Sequence, residues 1–234
     1  MAWVEHRHAD AAALADALAA TLHRQCERAL AERGSALLAL AGGRTPFPAY
    51  RALAAADLDW SRVTAMPTDE RCVPHDHAAC NLRGLREAMA GTRGLTLEAL
   101  TTRDGDPDSS QAAARTMLAQ HPNAFDVVVL GMGEDGHTAS LFPGAPQLDA
   151  ALDPARADGA ARVDPDPLPP EAPFPRISLT ASRLLHARCI ILALTGHAKR
   201  AVLERALADA DPRRHPVAAI LHAPGATVHV HWSP

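Results

Sequence analysis

Nowhere does the sequence hold an apolar span long enough to cross a bilayer, and residues 1–8 lack the apolar stretch of a secretory leader. A cytoplasmic protein without a membrane partner is therefore expected. There is no long basic run and the formal net charge is -4, so the electrostatic footprint for a phosphate backbone is missing. Nucleic acid is not an expected partner. Cys26, Cys72, Cys80 and Cys189 stand apart without CxxC spacing, which fits reduced thiols rather than a disulfide framework. Aromatic residues make up only 3% while Ala and Arg abound, a bias of composition that excludes no function. Two motifs are also missing. Without a G-x-S-x-G elbow, ester chemistry lacks its usual serine nucleophile, and without GxxxxGK[ST] there is no P-loop.

What is present is an ordinary globular composition, 47% hydrophobic and 21% charged over 234 residues. No composition shift divides the chain, so one α/β domain over residues 1–234 is expected. Leu14, Leu18, Leu22 and Leu30 recur at near-helical spacing, which predicts an amphipathic helix over 9–33 that Gly34 stops. Strands are expected at Ala36–Leu40, Val63–Met66, Asp126–Leu130, Cys189–Leu194 and Thr227–Trp232. Helices are expected after Pro46, over 82–90 and 109–120, and from Gly196 to about Ala210. Strands alternating with helices imply a Rossmann-like, mainly parallel sheet with helices on both faces. The prolines between Val163 and Pro175 preclude regular structure there. That segment reads as a surface connection, long enough to serve as a flap.

Three strand ends carry candidate chemistry, as expected where ligands gather beyond the carboxyl ends of parallel strands. The first is Gly42-Gly43-Arg44-Thr45, where backbone N–H groups, a hydroxyl, a guanidinium and a helix start can converge on a phosphate, with Thr45 as N-cap and Pro46 at the first helical position. An ordinary tight turn is the plain alternative. The second is Asp69-Glu70-Arg71, able to hold sugar hydroxyls and an anion, or merely a solvated charge cluster. The third and most informative runs from Phe125 to Gly144: an apolar strand ends in a glycine turn that presents Glu134, Asp135 and His137. Gly131, Gly133 and Gly136 also match G-x-G-x-x-G, but two acids facing a pyrophosphate and Pro143 in place of a helix oppose a dinucleotide site. Lys199, early in a helix, is a further cation for a phosphate. Cys72, His75, His77 and Cys80 depart from zinc-ligand spacing, and no metal is expected there.

The chain resembles the 6-phosphogluconolactonase family. The likeness rests on Ala41 to Pro46, on Thr68 to Pro74 followed by His77 and Asn81, on Gly131 to Gly144, on Arg176 to Thr180, on Thr195 to Lys199, and on Trp232. The resemblance implies a fold shared with glucosamine-6-phosphate deaminases and ribose-5-phosphate isomerases. It also implies hydrolysis of 6-phospho-D-glucono-1,5-lactone in the oxidative pentose phosphate pathway, without a cofactor. Deaminases carry a glutamate five residues beyond the loop histidine, where this chain has Phe142, and tend to have an aromatic residue where it has Arg71. Arg44 and Cys80 stand where lactonases usually or commonly have serine, and the chain stops soon after Trp232, without the short acidic tail of relatives.

On this reading His137 is the general base for water, Asp135 orients its ring, and Arg71 meets negative charge at the lactone carbonyl or the phosphate. Gly42, Gly43, Arg44, Thr45, Asp69 and Lys199 bind the substrate. The expected partner is a small sugar-phosphate lactone, and the chain is expected to be a monomer or small homo-oligomer. A sugar-phosphate sensor is the rival from another class. It needs a DNA-binding module, and the chain is expected to start directly with its own first helix.

Overall fold

The computed structural model describes residues 2–170 and 172–234. In chain order the elements are β1 (Ala2–Arg7), α1 (Ala11–Arg33), β2 (Ala36–Leu40), α2 (Phe47–Ala54), β3 (Val63–Pro67), β4 (Asp69–Arg71), α3 (Asn81–Ala88), β5 (Thr96–Leu97) and α4 (Pro107–Ala119). The second half holds β6 (Val127–Leu130), α5 (Leu148–Leu152), β7 (Ala160–Val163), β8 (Arg176–Leu179), α6 (Ala181–Leu185), β9 (Ile190–Thr195), α7 (His197–Asp209), α8 (Ala218–Leu221) and β10 (Thr227–Ser233). Seven strands form a parallel sheet in the order β1-β10-β9-β6-β2-β3-β5, and β4-β8-β7 form a separate antiparallel sheet.

The central strands carry apolar side chains on both faces, because helices cover both. Leu38, Leu40, Val127, Val129, Ile191 and Ala193 pack with α1, α2 and α3. Their alternate neighbours Ala39, Val128, Leu130, Ile190, Leu192 and Leu194 face the other way, into a core shared with α4, α7, α8 and the small sheet. The strand period of two thus builds two cores from one sheet. Each fully buried Leu or Val in them contributes about 1.5–3 kcal/mol.

Helix α1 begins as its sequence dictates. Asp10 accepts from the Ala13 N–H at 2.8 Å, Leu14, Leu18 and Leu22 form its buried stripe, and Gly34 ends it at φ 77°.

Three expectations require correction. A strand, β1, precedes α1: with Glu5, His6 and Arg7 in it, this edge strand carries too little apolar signal to be read locally. Thr45 does not cap α2, since Pro46 occupies the cap position without a side-chain bond and Pro48 lies in the first turn. Residues 69–71 do not belong to the end of β3 but are a separate strand of the second sheet, formed only because β8 pairs with them.

Candidate active site

A cavity of about 300 Å³ lies at the carboxyl ends of β2 and β6 and against the small sheet. From the β2 turn, Gly42 and Gly43 line it. Gly42 must lack a side chain because a Cβ there would collide with the Asn81 amide, which donates to the Asp69 carbonyl at 2.8 Å. Gly43, at φ 104°, takes a backbone conformation that other residues resist. Arg44 and Thr45 do not line this cavity. Arg44 is exposed at an adjoining one, and the Thr45 hydroxyl is 3.2 Å from that of Thr195.

The β6 loop supplies the imidazole. His137 Nδ1 is 2.6 Å from Asp135 Oδ1, which also accepts the His137 N–H at 3.1 Å. Partial burial pushes the Asp135 carboxyl up, but the hydrogen bond and the charge of His137 outweigh it and hold the group below the usual carboxylate value. The ring stacks on Phe142, with centroids 4.2 Å apart. Gly133 is required beside this pair, because a Cβ would strike both His137 and Asp135. Beyond the histidine the loop is tied down: Thr138 Oγ1 donates to Gly131 O at 2.8 Å, and Ser140 Oγ donates to Asp69 Oδ2 at 2.5 Å. Ala139 sits between them at φ 48°, in the left-handed region that alanine rarely adopts.

In β4 the strand period separates the three predicted residues. Asp69 and Arg71 face the cavity, and Arg71 also donates from Nη1 to Ala79 O at 2.6 Å. Glu70 points to the opposite face, fully buried, where its carboxylate accepts the N–H groups of Arg71, Asn81 and Leu82 at 2.8, 2.7 and 2.7 Å. It therefore anchors the start of α3 and binds no ligand. Burial raises its pKa against the pull of those donors.

Lys199, in the first turn of α7, reaches the same cavity. Burial lowers its pKa, Glu134 pulls it back up, and Arg44 lowers it further. From the proline-rich segment, Pro169 and Ala172 complete the wall, while Glu171 lies outside the described residues. None of the four thiols is a ready nucleophile: burial pushes Cys26 and Cys72 to about 12 and Cys80 and Cys189 to about 11. Several lining residues carry no role assigned from the sequence, Phe142 and Arg176 among them. In the sequence Arg176 stands out only within the Arg176–Thr180 likeness, and its place at the cavity follows from the pairing of β8 with β4.

With an imidazole braced by a carboxylate, and several cations facing the same cavity as that imidazole at the carboxyl edge of a parallel sheet, the molecule stands among the α/β enzymes that act on small anions. Its family is more definite. The model described as "Glucosamine-6-phosphate isomerases/6-phosphogluconolactonase" matches residues 9–232, and the chain belongs to that family. A relative from Pseudomonas aeruginosa named 6-phosphogluconolactonase is 42% identical over 228 residues, covering 96% of this chain and 92% of its own length. Another of that name from Rhizobium meliloti is 37% identical over 235 residues, covering 98% of each chain. The crystal structure of a 6-phosphogluconolactonase from Shewanella baltica superposes with a TM-score of 0.92 at 34% identity, covering 99% of this chain and 97% of that one.

Proposed function

We propose that the protein hydrolyses 6-phospho-D-glucono-1,5-lactone to 6-phospho-D-gluconate, using water activated by His137 and no covalent intermediate. The observation that carries this reading is His137, hydrogen-bonded to Asp135, on the wall of a cavity that Arg71 and Lys199 also line. The name shared by the relatives supports the substrate.

A carboxylate at 2.6 Å holds the proton of His137 on Nδ1, which leaves the lone pair on Nε2. Nε2 takes a proton from water as the oxygen attacks the lactone carbonyl carbon. The carbonyl becomes a tetrahedral oxyanion, the bond from that carbon to the ring oxygen breaks, and the imidazolium returns its proton to the departing oxygen. No cofactor enters this scheme. Arg71 meets negative charge at the carbonyl or at the phosphate. Gly42, Gly43 and Lys199 hold the phosphate, and Asp69 is placed to accept from sugar hydroxyls. Anchoring the far end of the substrate fixes its carbonyl against the imidazole, so remote binding energy serves orientation. Phe142, stacked on His137 where a deaminase has its ring-opening glutamate, disfavours amine-expelling chemistry.

The test is NMR of freshly made δ-lactone with and without protein, since the lactone also opens spontaneously. Disappearance well above background is expected for the wild type, with His137→Ala slowed by about a hundredfold or more. A wild-type rate equal to background would reject the function, and a His137→Ala rate near wild type would reject the base.

A further inference from the structure

One buried cation has no place in the scheme above. Arg176, the first residue of β8, is 3% exposed and faces the cavity. Its Nη2 donates to Ala172 O at 2.7 Å, but its Nη1 is buried with no acceptor among the described residues. Such an orphan donor is costly unless something absent from the free protein completes it. Across the antiparallel pair, Arg176 lies directly opposite Arg71. Both side chains are on the cavity face, and both donate to backbone carbonyls. Like charges directly opposite on neighbouring strands repel.

We infer that Arg176 and Arg71 form a two-guanidinium clamp for the phosphate dianion of the substrate, which makes Arg176 a specificity-determining residue. The inference rests on the proposed function and settles which end of the substrate Arg71 serves. A phosphate offers several acceptor oxygens and a standing double charge, so it can bridge both guanidinium groups at once. A lactone carbonyl carries charge only in the transition state and does not relieve a permanent repulsion. A paired clamp at the carbonyl end would also hold the product carboxylate more tightly than the neutral lactone, opposing release. Burial, and then the charge of Arg71, pull Arg176 down to about 10, which is the cost that a bound anion removes. Phe142 sets the spacing. His137 stacks on its ring, and Arg176 Cζ lies 6.0 Å from the same centroid, so base and clamp are held apart by one rigid side chain.

The test pairs kinetics with a binding measurement that needs no turnover. Arg176→Met is expected to raise the KM for the phosphorylated lactone by about ten- to a hundredfold. Its kcat/KM for unphosphorylated glucono-1,5-lactone is expected to stay within about twofold. Without ligand its thermal midpoint is expected at or above that of the wild type, because a buried like-charge contact is gone, while the upward shift with millimolar inorganic phosphate disappears. Arg176→Lys, which keeps the charge but not the fork, is expected to fall between the two and serves if the methionine variant fails to fold. Equal losses on both lactones, or an undiminished phosphate shift, overturn the clamp. Loss of the shift supports the clamp even in a protein that fails to hydrolyse the lactone, a failure that would overturn only the proposed function.

Discussion

Replacing Gly133 by alanine disturbs the His137–Asp135 pair without deleting any functional group. Gly133 does not occupy the left-handed region, so alanine carries no backbone penalty, and it restricts the unfolded chain by about 0.4–1 kcal/mol in favour of the fold. Its Cβ, however, lands well inside van der Waals contact with Nδ1 and Cε1 of His137 and with Asp135 Oδ1. Restoring ordinary contact requires both the imidazole and the carboxylate to move by about 1 Å. The atoms in the way are the ends of side chains, so the fold persists and the dyad yields. A displacement of that size costs about a hundredfold in rate, equivalent to about 2.7 kcal/mol of barrier. Complete loss of the base, about 10²–10⁴, sets the ceiling. The residues proposed to bind the phosphate are others, so KM for the phosphorylated lactone is expected to stay within about twofold. Initial rates by NMR or pH-stat, corrected for spontaneous opening, together with a urea melt, measure both halves. A kcat within about threefold of wild type would show that the pair tolerates displacement and would sink the argument.

Lys199→Ala is expected to raise KM for the phosphorylated lactone about tenfold or more while leaving unphosphorylated gluconolactone nearly unaffected, and equal effects would remove Lys199 from the phosphate. Glu70→Ala leaves two buried N–H groups at the start of α3 and the Arg71 N–H of β4 without their acceptor, so urea unfolding is expected to show a loss of about 3–5 kcal/mol, and less than about 1 would refute the anchor. His231 is buried among His6 of β1, His8 just beyond it and His229 of β10, with Arg24 approaching from α1. Burial, then these neighbours, pull its imidazole down to about 4. Between 6.5 and about 4 the unfolded chain takes up a proton that the fold refuses, so stability is expected to fall by about 3 kcal/mol as pH drops through that window. His231→Phe is expected to flatten the fall, and an unchanged slope in thermal melts would exclude His231 as its source.

Much of the architecture was open to local reading. The span of α1 with its Gly34 stop, the strand Ala36–Leu40, and the helix after Gly196 follow from apolar period and capping, which involve only neighbours in the chain. The His137 loop was legible for the same reason: a β-run, glycines and two acids sit within a few residues, and the Asp135–His137 bond spans a separation of two.

The tertiary structure alone decided what lies beyond such short range. Asp69, Glu70 and Arg71 read as one polar triplet until β8 pairs with them and turns Glu70 to a buried helix start. Arg176 met Arg71 only through that same register, and β1 became a strand only because β10 offered it an edge. Backbone propensity and capping act over one or two turns of chain, and the residues that express them are adjacent in sequence. Strand pairing and the burial of a charge depend on segments far apart, whose meeting is fixed by the packing of the whole core.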